Sequence, residues 1–398
     1  MKDEKRKFLL LQGPMSYFFK ELYLHLKNSN FEVTKICFNG GDLFLSAGID
    51  TIKFTEKPSE FLNFLKILQL RNNFTDVVFY GDCRFYHLEA KKFFADKNVK
   101  FHIFEEGYFR PYWVTYENIG VNDCSDIPRN KEFYQNLEIY EENNHKFQKL
   151  KPTLAKKILL TYIYYVFRVF FEKTEFKNYL PHRTSLPEIE ANGWFKKLLT
   201  YKITNYKARK LQKKISKSGK KFFLVALQLC SDSQIQFHSD YADMRDFISK
   251  ILEDFAKNSP SDIHLVFKSH PEENGVAGLE KFVKENAKKF NLQDRVIYID
   301  GGNMPKFLDD MQGLIAINST AAISALHHKK PVKIMGRALY NFEGLTSQKP
   351  LAEFWHTSEK PDEELFLKFK NYVMQKTQIN GSFYSKEGVD LILRNIKI

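Results

Sequence analysis

The sequence predicts an α/β protein with two doubly wound Rossmann-type domains facing a cleft. Short apolar runs alternate with helix-length amphipathic segments between residues 7 and 106, and the same rhythm returns between 221 and 336. The chain has 398 residues, 43% of them hydrophobic, enough for two cores of ordinary size.

In the first half, KFLLLQ (7–12) is an apolar run closed by the Gly13-Pro14 breaker. Residues 15–28 place Phe18, Leu22 and Leu26 at helical spacing. FEVTKICF (31–38) predicts a strand ending at Asn39-Gly40-Gly41. A helix over 60–70, a strand over 76–82, a helix over 84–95 and a strand over 99–106 complete the series, which is lost over 115–150. Residues 151–220 predict a helical, aromatic and basic inter-domain region. In the second half, strands are expected at 221–229, 264–270, 295–300, 313–318 and 331–336, with helices between them. Helices at 361–377 and 385–397 close the chain. The expected domains are therefore 1–150, Rossmann-like; 151–220, inter-domain; 221–360, a second Rossmann-like domain; and 361–398, helices packing back on the N-terminal half. Two such domains with a cleft between them constitute a GT-B-like architecture.

Formal net charge is +13, from 61 Lys and Arg against 48 Asp and Glu, which favours anionic partners. Lysines spread over helices without a nucleic-acid-binding motif argue against nucleic acid as that partner. Cys37, Cys83, Cys124 and Cys230 are scattered without zinc-ligand spacing and suit a reducing compartment. The first apolar run is too short for a signal peptide, and the longest, ILLTYIYYVF (158–167), ends at Arg168, short of the roughly 20 residues needed to span a bilayer. These features predict a cytoplasmic chain.

Ligands of doubly wound sheets sit outside the carboxyl ends of the strands, so candidate chemistry is sought there. FEEGYFRPYW (104–113) carries Glu105 and Glu106, a glycine that permits a sharp turn, and Arg110, which suits a carboxylate or phosphate; a solvated turn with an Arg–Glu pair explains it equally. KSHPEENG (268–275) brings Lys268 and His270 to a strand end stopped by Pro271, either a phosphate corner or a plain strand exit. Asn318-Ser319-Thr320 opens a helix straight after a strand, where hydroxyls and free N–H groups suit an anion or merely cap the helix. LQLCSDSQIQFHSD (227–240) presents Asp232 and Gln234 past the first strand of the second half, an Asx turn otherwise. Gly302 and Asn303 of the GGNMP loop suit a base or ribose; Gln12 and Gly13, with Asn39 and Gly40, play that part in the first half.

The order of these motifs, an acid-acid-glycine, then His-Pro, then Ser-Thr at a helix start, resembles that of CMP-sugar glycosyltransferases, including bacterial sialyltransferases and Kdo transferases. More closely, LLLQGPMSYFFKELYLHL, EEGYFRPYWVTYENIGVN and NSTAAISALHHKKPVKIMGRALYNFEGLT resemble the capsule polysaccharide biosynthesis/export proteins of the KpsS/LipB type. The resemblance implies an enzyme: a retaining transferase that moves β-Kdo from CMP-β-Kdo to a phosphatidylglycerol-type lipid at the inner face of the cytoplasmic membrane. It makes 1–150 the acceptor side and 221–360 the CMP side. It implies Lys268 and His270 on the CMP phosphate, Ser319 and Thr320 on phosphate or sugar carboxylate, Glu106 as the catalytic carboxylate near the acceptor and Asp232 as the covalent nucleophile. Retention requires such a carboxylate, because an oxocarbenium-like sugar must be captured before the acceptor attacks. Cationic and hydroxyl groups stabilise the departing CMP, so neither metal nor cofactor is expected. The partners implied are the CMP-sugar, an anionic phospholipid, the membrane surface met by 158–171 and 196–221, and other capsule assembly proteins. Two other readings stay open: a related activity such as a CDP-polyol phosphotransferase or sugar-nucleotide epimerase, and a non-catalytic lipid- or glycan-binding part of an export complex; a nucleic-acid binder, suggested by charge alone, lacks a recognisable motif.

Overall fold

Strand Lys7–Leu10 (β1) alternates its side chains between two apolar layers: Phe8 and Leu10 enter one core cluster, and Leu9 with the following Leu11 enters the other. A strand buried on both faces reads as a continuous apolar run and needs helices above and below. The computed structural model describes residues 5–138, 147–181, 186–230 and 233–398. Its strands, after β1, are Glu32–Cys37 (β2), Ile52–Lys53 (β3), Asp76–Tyr80 (β4), Lys100–Glu106 (β5), Trp113–Glu117 (β6), Phe222–Ala226 (β7), His264–Lys268 (β8), Val296–Ile299 (β9), Gly313–Ala316 (β10), Val332–Ile334 (β11) and Gln378–Asn380 (β12).

They form two sheets, β12-β6-β5-β4-β1-β2-β3 and β11-β10-β7-β8-β9. In the first, β1 to β5 pair in parallel, β6 runs antiparallel to β5, and β12 antiparallel to β6. The second is parallel throughout. Both reverse their winding beside their first strand, at β1/β4 and at β7/β10, the switch points where strand ends splay apart. The α/β, doubly wound class expected from the sequence is the class found. The antiparallel edge made by β6 and β12 is an addition to it.

Two units divide the chain: Met1–Asp126 with His145–Leu198 and Met374–Ile398, and Ile127–Asn144 with Leu199–Val373. The expected boundaries differ because packing, not sequence proximity, assigns segments. Tyr134 stacks on Phe342 with ring centroids 5.5 Å apart and also meets Phe369, which draws its short helix Lys131–Gln135 into the second unit. Phe383 and Ile392 lie in the first unit's core, which returns the C-terminal segment there. Full burial of such a side chain contributes about 2–3 kcal/mol. The expected inter-domain region is shared between the units, at residues 198 and 199 of the helix Pro187–Lys217. Among the described residues no helix is long and apolar enough to cross a membrane.

Candidate active site

The acid-acid-glycine motif forms the end of β5 and the turn of a hairpin. Glu105 pairs with Thr115 and Glu106 with Val114 across to β6. A side chain at Gly107 would place its Cβ 2.1 Å from the Trp113 carbonyl oxygen, so the return strand passes too close for any other residue. Glu105 is turned back on the chain, its Oε1 accepting the Glu106 amide at 2.8 Å. Glu106 is held by side chains from three other parts of the first unit. Its Oε1 accepts from Lys157 Nζ at 2.7 Å, from the Tyr384 hydroxyl at 3.2 Å and from the Tyr80 hydroxyl at 3.4 Å. The Lys157 ammonium also lies 4.6 Å from the Tyr384 ring centroid. Burial, reinforced by the charges of Glu105 and Glu106, pushes the Tyr80 phenol well above its usual range, so it remains a donor. Arg110 is exposed and donates from Nε to the Gly107 carbonyl at 3.3 Å.

The ends of β1 and β2 are filled by protein. Gln12 and Asn39 are 2% and 1% exposed. Gln12 Nε2 reaches Asp42 at 3.2 Å, the Tyr164 hydroxyl at 3.2 Å and the Tyr179 hydroxyl at 3.0 Å. Asn39 donates to the Tyr164 hydroxyl at 2.8 Å, and its side-chain oxygen caps the helix Gly40–Leu45 through the Asp42 amide at 3.0 Å. A Cβ on Gly40 would lie 2.4 Å from the Phe167 carbonyl, because the helix Leu154–Glu172 packs directly on this turn. That helix buries Ile158, Thr161, Tyr165 and Arg168 at helical spacing, with Tyr164 aimed into the polar cluster. Burial raises the pKa of Asp42, against the opposing pull of Lys35. Gly13 is half-buried, and its carbonyl accepts from Arg84 Nη1 at 3.2 Å beside the β1/β4 switch point. The substrate contacts expected of Gln12, Asn39 and Gly40 are thus replaced by buried protein contacts: these residues seat a helix.

In the second unit the strand ends remain partly open. Asn318 and Gln228 bracket the β7/β10 switch point with reciprocal bonds: Gln228 Nε2 donates to Asn318 Oδ1 at 2.8 Å, and the Asn318 amide to Gln228 Oε1 at 3.2 Å. Ser319 and Thr320 are half-buried, and Thr320 makes no side-chain cap to the helix Ala321–His327 that it precedes. The Ser319 carbonyl is fixed by the Tyr340 hydroxyl at 2.6 Å. Lys268 is buried at the end of β8, and its Nζ lies 3.4 Å from the Ser269 carbonyl. His270 is half-buried, and its Nδ1 accepts the Glu272 amide at 3.1 Å, which puts any ring proton of the neutral form on Nε2. Pro271 is exposed just after the strand. Asn303 caps the helix Met304–Asp310 through the Lys306 amide at 3.1 Å. Gln212 clasps the backbone of Asn303, donating to its carbonyl at 2.7 Å and accepting its amide at 2.8 Å, with Gly302 alongside.

Asp232 lies outside the described residues; Gln234 lies in the helix Ser233–His238, its side chain outside the description. Of the expected residues, Glu105, Glu106 and Arg110 share one hairpin, while Lys268, His270, Asn318, Ser319 and Thr320 sit at strand ends of the second sheet. The sequence reading missed Lys157, Tyr80 and Tyr384 around Glu106, Arg84 beside Gly13, and Gln228 beside Asn318. Only Gln228 carried a signal, as a polar residue directly after the apolar run 222–227.

The sequence pattern of the family described as Capsule polysaccharide biosynthesis protein matches residues 75–384. The chain is 36% identical over 382 residues to the capsule polysaccharide export protein KpsS of Escherichia coli, across 95% of this chain and 97% of that protein. It is 35% identical over 401 residues to the capsule polysaccharide modification protein LipB of Neisseria meningitidis serogroup B, across 96% and 93% of the two. Among solved structures, the beta Kdo 2,7 transferase KpsC of Thermosulfurimonas dismutans aligns with 98% of this chain and 99% of its own at 13% identity and a TM-score of 0.44. The chain belongs to the capsule polysaccharide biosynthesis protein family.

Proposed function

We propose that the protein is a retaining glycosyltransferase that moves β-Kdo from CMP-β-Kdo to a (lyso)phosphatidylglycerol acceptor, starting the poly-Kdo linker of capsular polysaccharide. The observation that carries this reading is the setting of Glu106. A hairpin turn does not require its acid to be gripped by an ammonium and two phenols from residues 80, 157 and 384, whereas a reacting carboxylate requires a fixed position. Membership of the capsule family supports the biological setting.

The chemistry proceeds in two displacements. The bond between the anomeric carbon and the CMP phosphate oxygen breaks, its electron pair leaving with CMP, and an Asp232 carboxylate oxygen bonds to that carbon. The acceptor hydroxyl then attacks the same carbon, Asp232 departs, and the hydroxyl proton passes to Glu106. Lys268, His270 and the Ser319 and Thr320 hydroxyls stabilise the charge gathering on the leaving phosphate, which is the work a metal does elsewhere. The protein works at the inner face of the cytoplasmic membrane, where its lipid acceptor lies.

Incubating the purified chain with CMP-Kdo and a fluorescent lysophosphatidylglycerol tests the reading: a product heavier by one Kdo is expected, and its absence refutes it. A fluorinated CMP-Kdo analogue is expected to leave a covalent adduct within residues 227–240. The Escherichia coli relative is named an export protein, which favours a second reading, a glycan-binding component without catalysis. Under that reading Glu106→Gln and Asp232→Asn leave capsule assembly intact.

A further inference from the structure

The helix Pro187–Lys217 carries, within the second unit, a two-sided pattern that packing alone does not explain. Ala208, Gln212 and Ile215 are buried, four and three residues apart, and mark the face turned to the protein. The opposite face runs through positions 199, 203, 206, 210, 213 and 217, again at steps of four and three. Its first half is apolar: Leu199 is 64% exposed, Ile203 59% and Tyr206 70%. Its second half is Lys210, Lys213 and Lys217, flanked by Lys202, Lys207, Arg209 and Lys214, all exposed. No acidic residue occurs between Glu190 and Asp232 in the sequence.

We propose that this outer face docks on an anionic lipid bilayer, with Leu199, Ile203 and Tyr206 entering the headgroup boundary and the lysines meeting lipid phosphates. An apolar stripe continued by cations along one helix is the pattern of an in-plane interfacial helix. Seven like charges on and beside the face oppose its pairing with the same face of a second copy, and three exposed apolar side chains have no use against a bare polyanion. The helix Leu154–Glu172 also exposes Leu159, Val166 and Phe170, but within it Lys156 alone is an exposed cation, so no basic stretch continues its apolar stripe. The choice of lipid rests in part on the lipid-acceptor reading above.

The test is cosedimentation of the full chain with vesicles of phosphatidylcholine, alone or mixed with phosphatidylglycerol. Binding to the mixed vesicles only, weakened by added salt, is expected. Replacing Leu199, Ile203 and Tyr206 together by Ser is expected to lower the partition coefficient about tenfold. Replacing Lys210, Lys213 and Lys217 together by Glu is expected to lower it at least tenfold, each set leaving the unfolding midpoint unchanged. The inference falls if the wild type ignores mixed vesicles, if either set binds as the wild type does, or if the serine set changes the oligomeric state instead. Kdo transfer to a water-soluble short-chain acceptor separates this from the proposed function. Vesicle binding without transfer leaves the docking face standing and overturns the enzyme reading; transfer without vesicle binding does the reverse.

Discussion

The two sheets wind alike, and the polar residues at their carboxyl ends have opposite fates. At β1 and β2, Gln12, Asn39 and Asp42 are sealed under Tyr164 and Tyr179, and every one of these polar side chains has a protein partner. At β7, β8 and β10, Ser319, Thr320 and His270 stay half-buried at the rim. A strand end is thus only a licence for ligand binding: whatever packs over it decides whether it is used. In the first unit the helix Leu154–Glu172 covers the central crevice, and the same helix supplies Lys157 to Glu106 at the sheet's hairpin side.

The largest effect expected is on catalysis. Under the proposed function, Glu106→Gln should lower Kdo transfer about 10³-fold, as removal of a proton-transferring group does. Gln12→Ala, in the covered crevice, should cut transfer less than tenfold and instead lower stability by about 2 kcal/mol, because buried partners lose a bond. Steady-state kinetics beside urea unfolding reads both, and a reversed pair of outcomes breaks the comparison.

Next is a pH effect from the first unit's interior. Burial pushes the Glu117 carboxyl up to about 7 from an ordinary 4.5, against the Tyr108 and Ser125 hydroxyls that donate to it. The folded state therefore binds the proton more tightly than the unfolded chain does. Stability from this group is full below pH 4.5 and is lost as pH rises through about 7, a change of about 3 kcal/mol. Urea midpoints for the wild type and Glu117→Gln across that window should differ in slope, the variant being flatter.

Gly40→Ala should lower stability by about 2 kcal/mol, since the Phe167 carbonyl must move to admit the methyl. The smallest effect is sought at the open rim. Asn318→Ala should cost about 1 kcal/mol through its bond to Gln228 and, if CMP-Kdo is the donor as proposed, raise its KM. A rim residue that changed stability alone would make the second sheet as sealed as the first.

Much of this was legible in the sequence. The βα rhythm fixed the parallel strands because burial on both faces leaves an unbroken apolar run. Trp113–Glu117 was not legible: its aromatic residues read as part of the preceding motif, and an antiparallel edge strand breaks the βα alternation. Gln378–Asn380 has three residues, too few for any period to show. Glu106 could be read from its neighbours in sequence. Lys157 and Tyr384 could not, since they lie 51 and 278 residues away and no local pattern encodes such a meeting. The burial of Gln12 and Asn39 was hidden for the same reason.

The reach of the C-terminal segment also sets a timetable for biosynthesis. Strand β12 completes the first sheet, and Tyr384 completes the grip on Glu106, so a nascent chain halted near residue 370 holds neither. N-terminal domains generally fold while synthesis continues. Here the first unit's finished form must await residues 378–384, by which time Leu199–Val373 has already been made. Maturation of the first unit is thereby tied to synthesis of the second, and a product terminated between them would carry Glu106 without its Tyr384 donor.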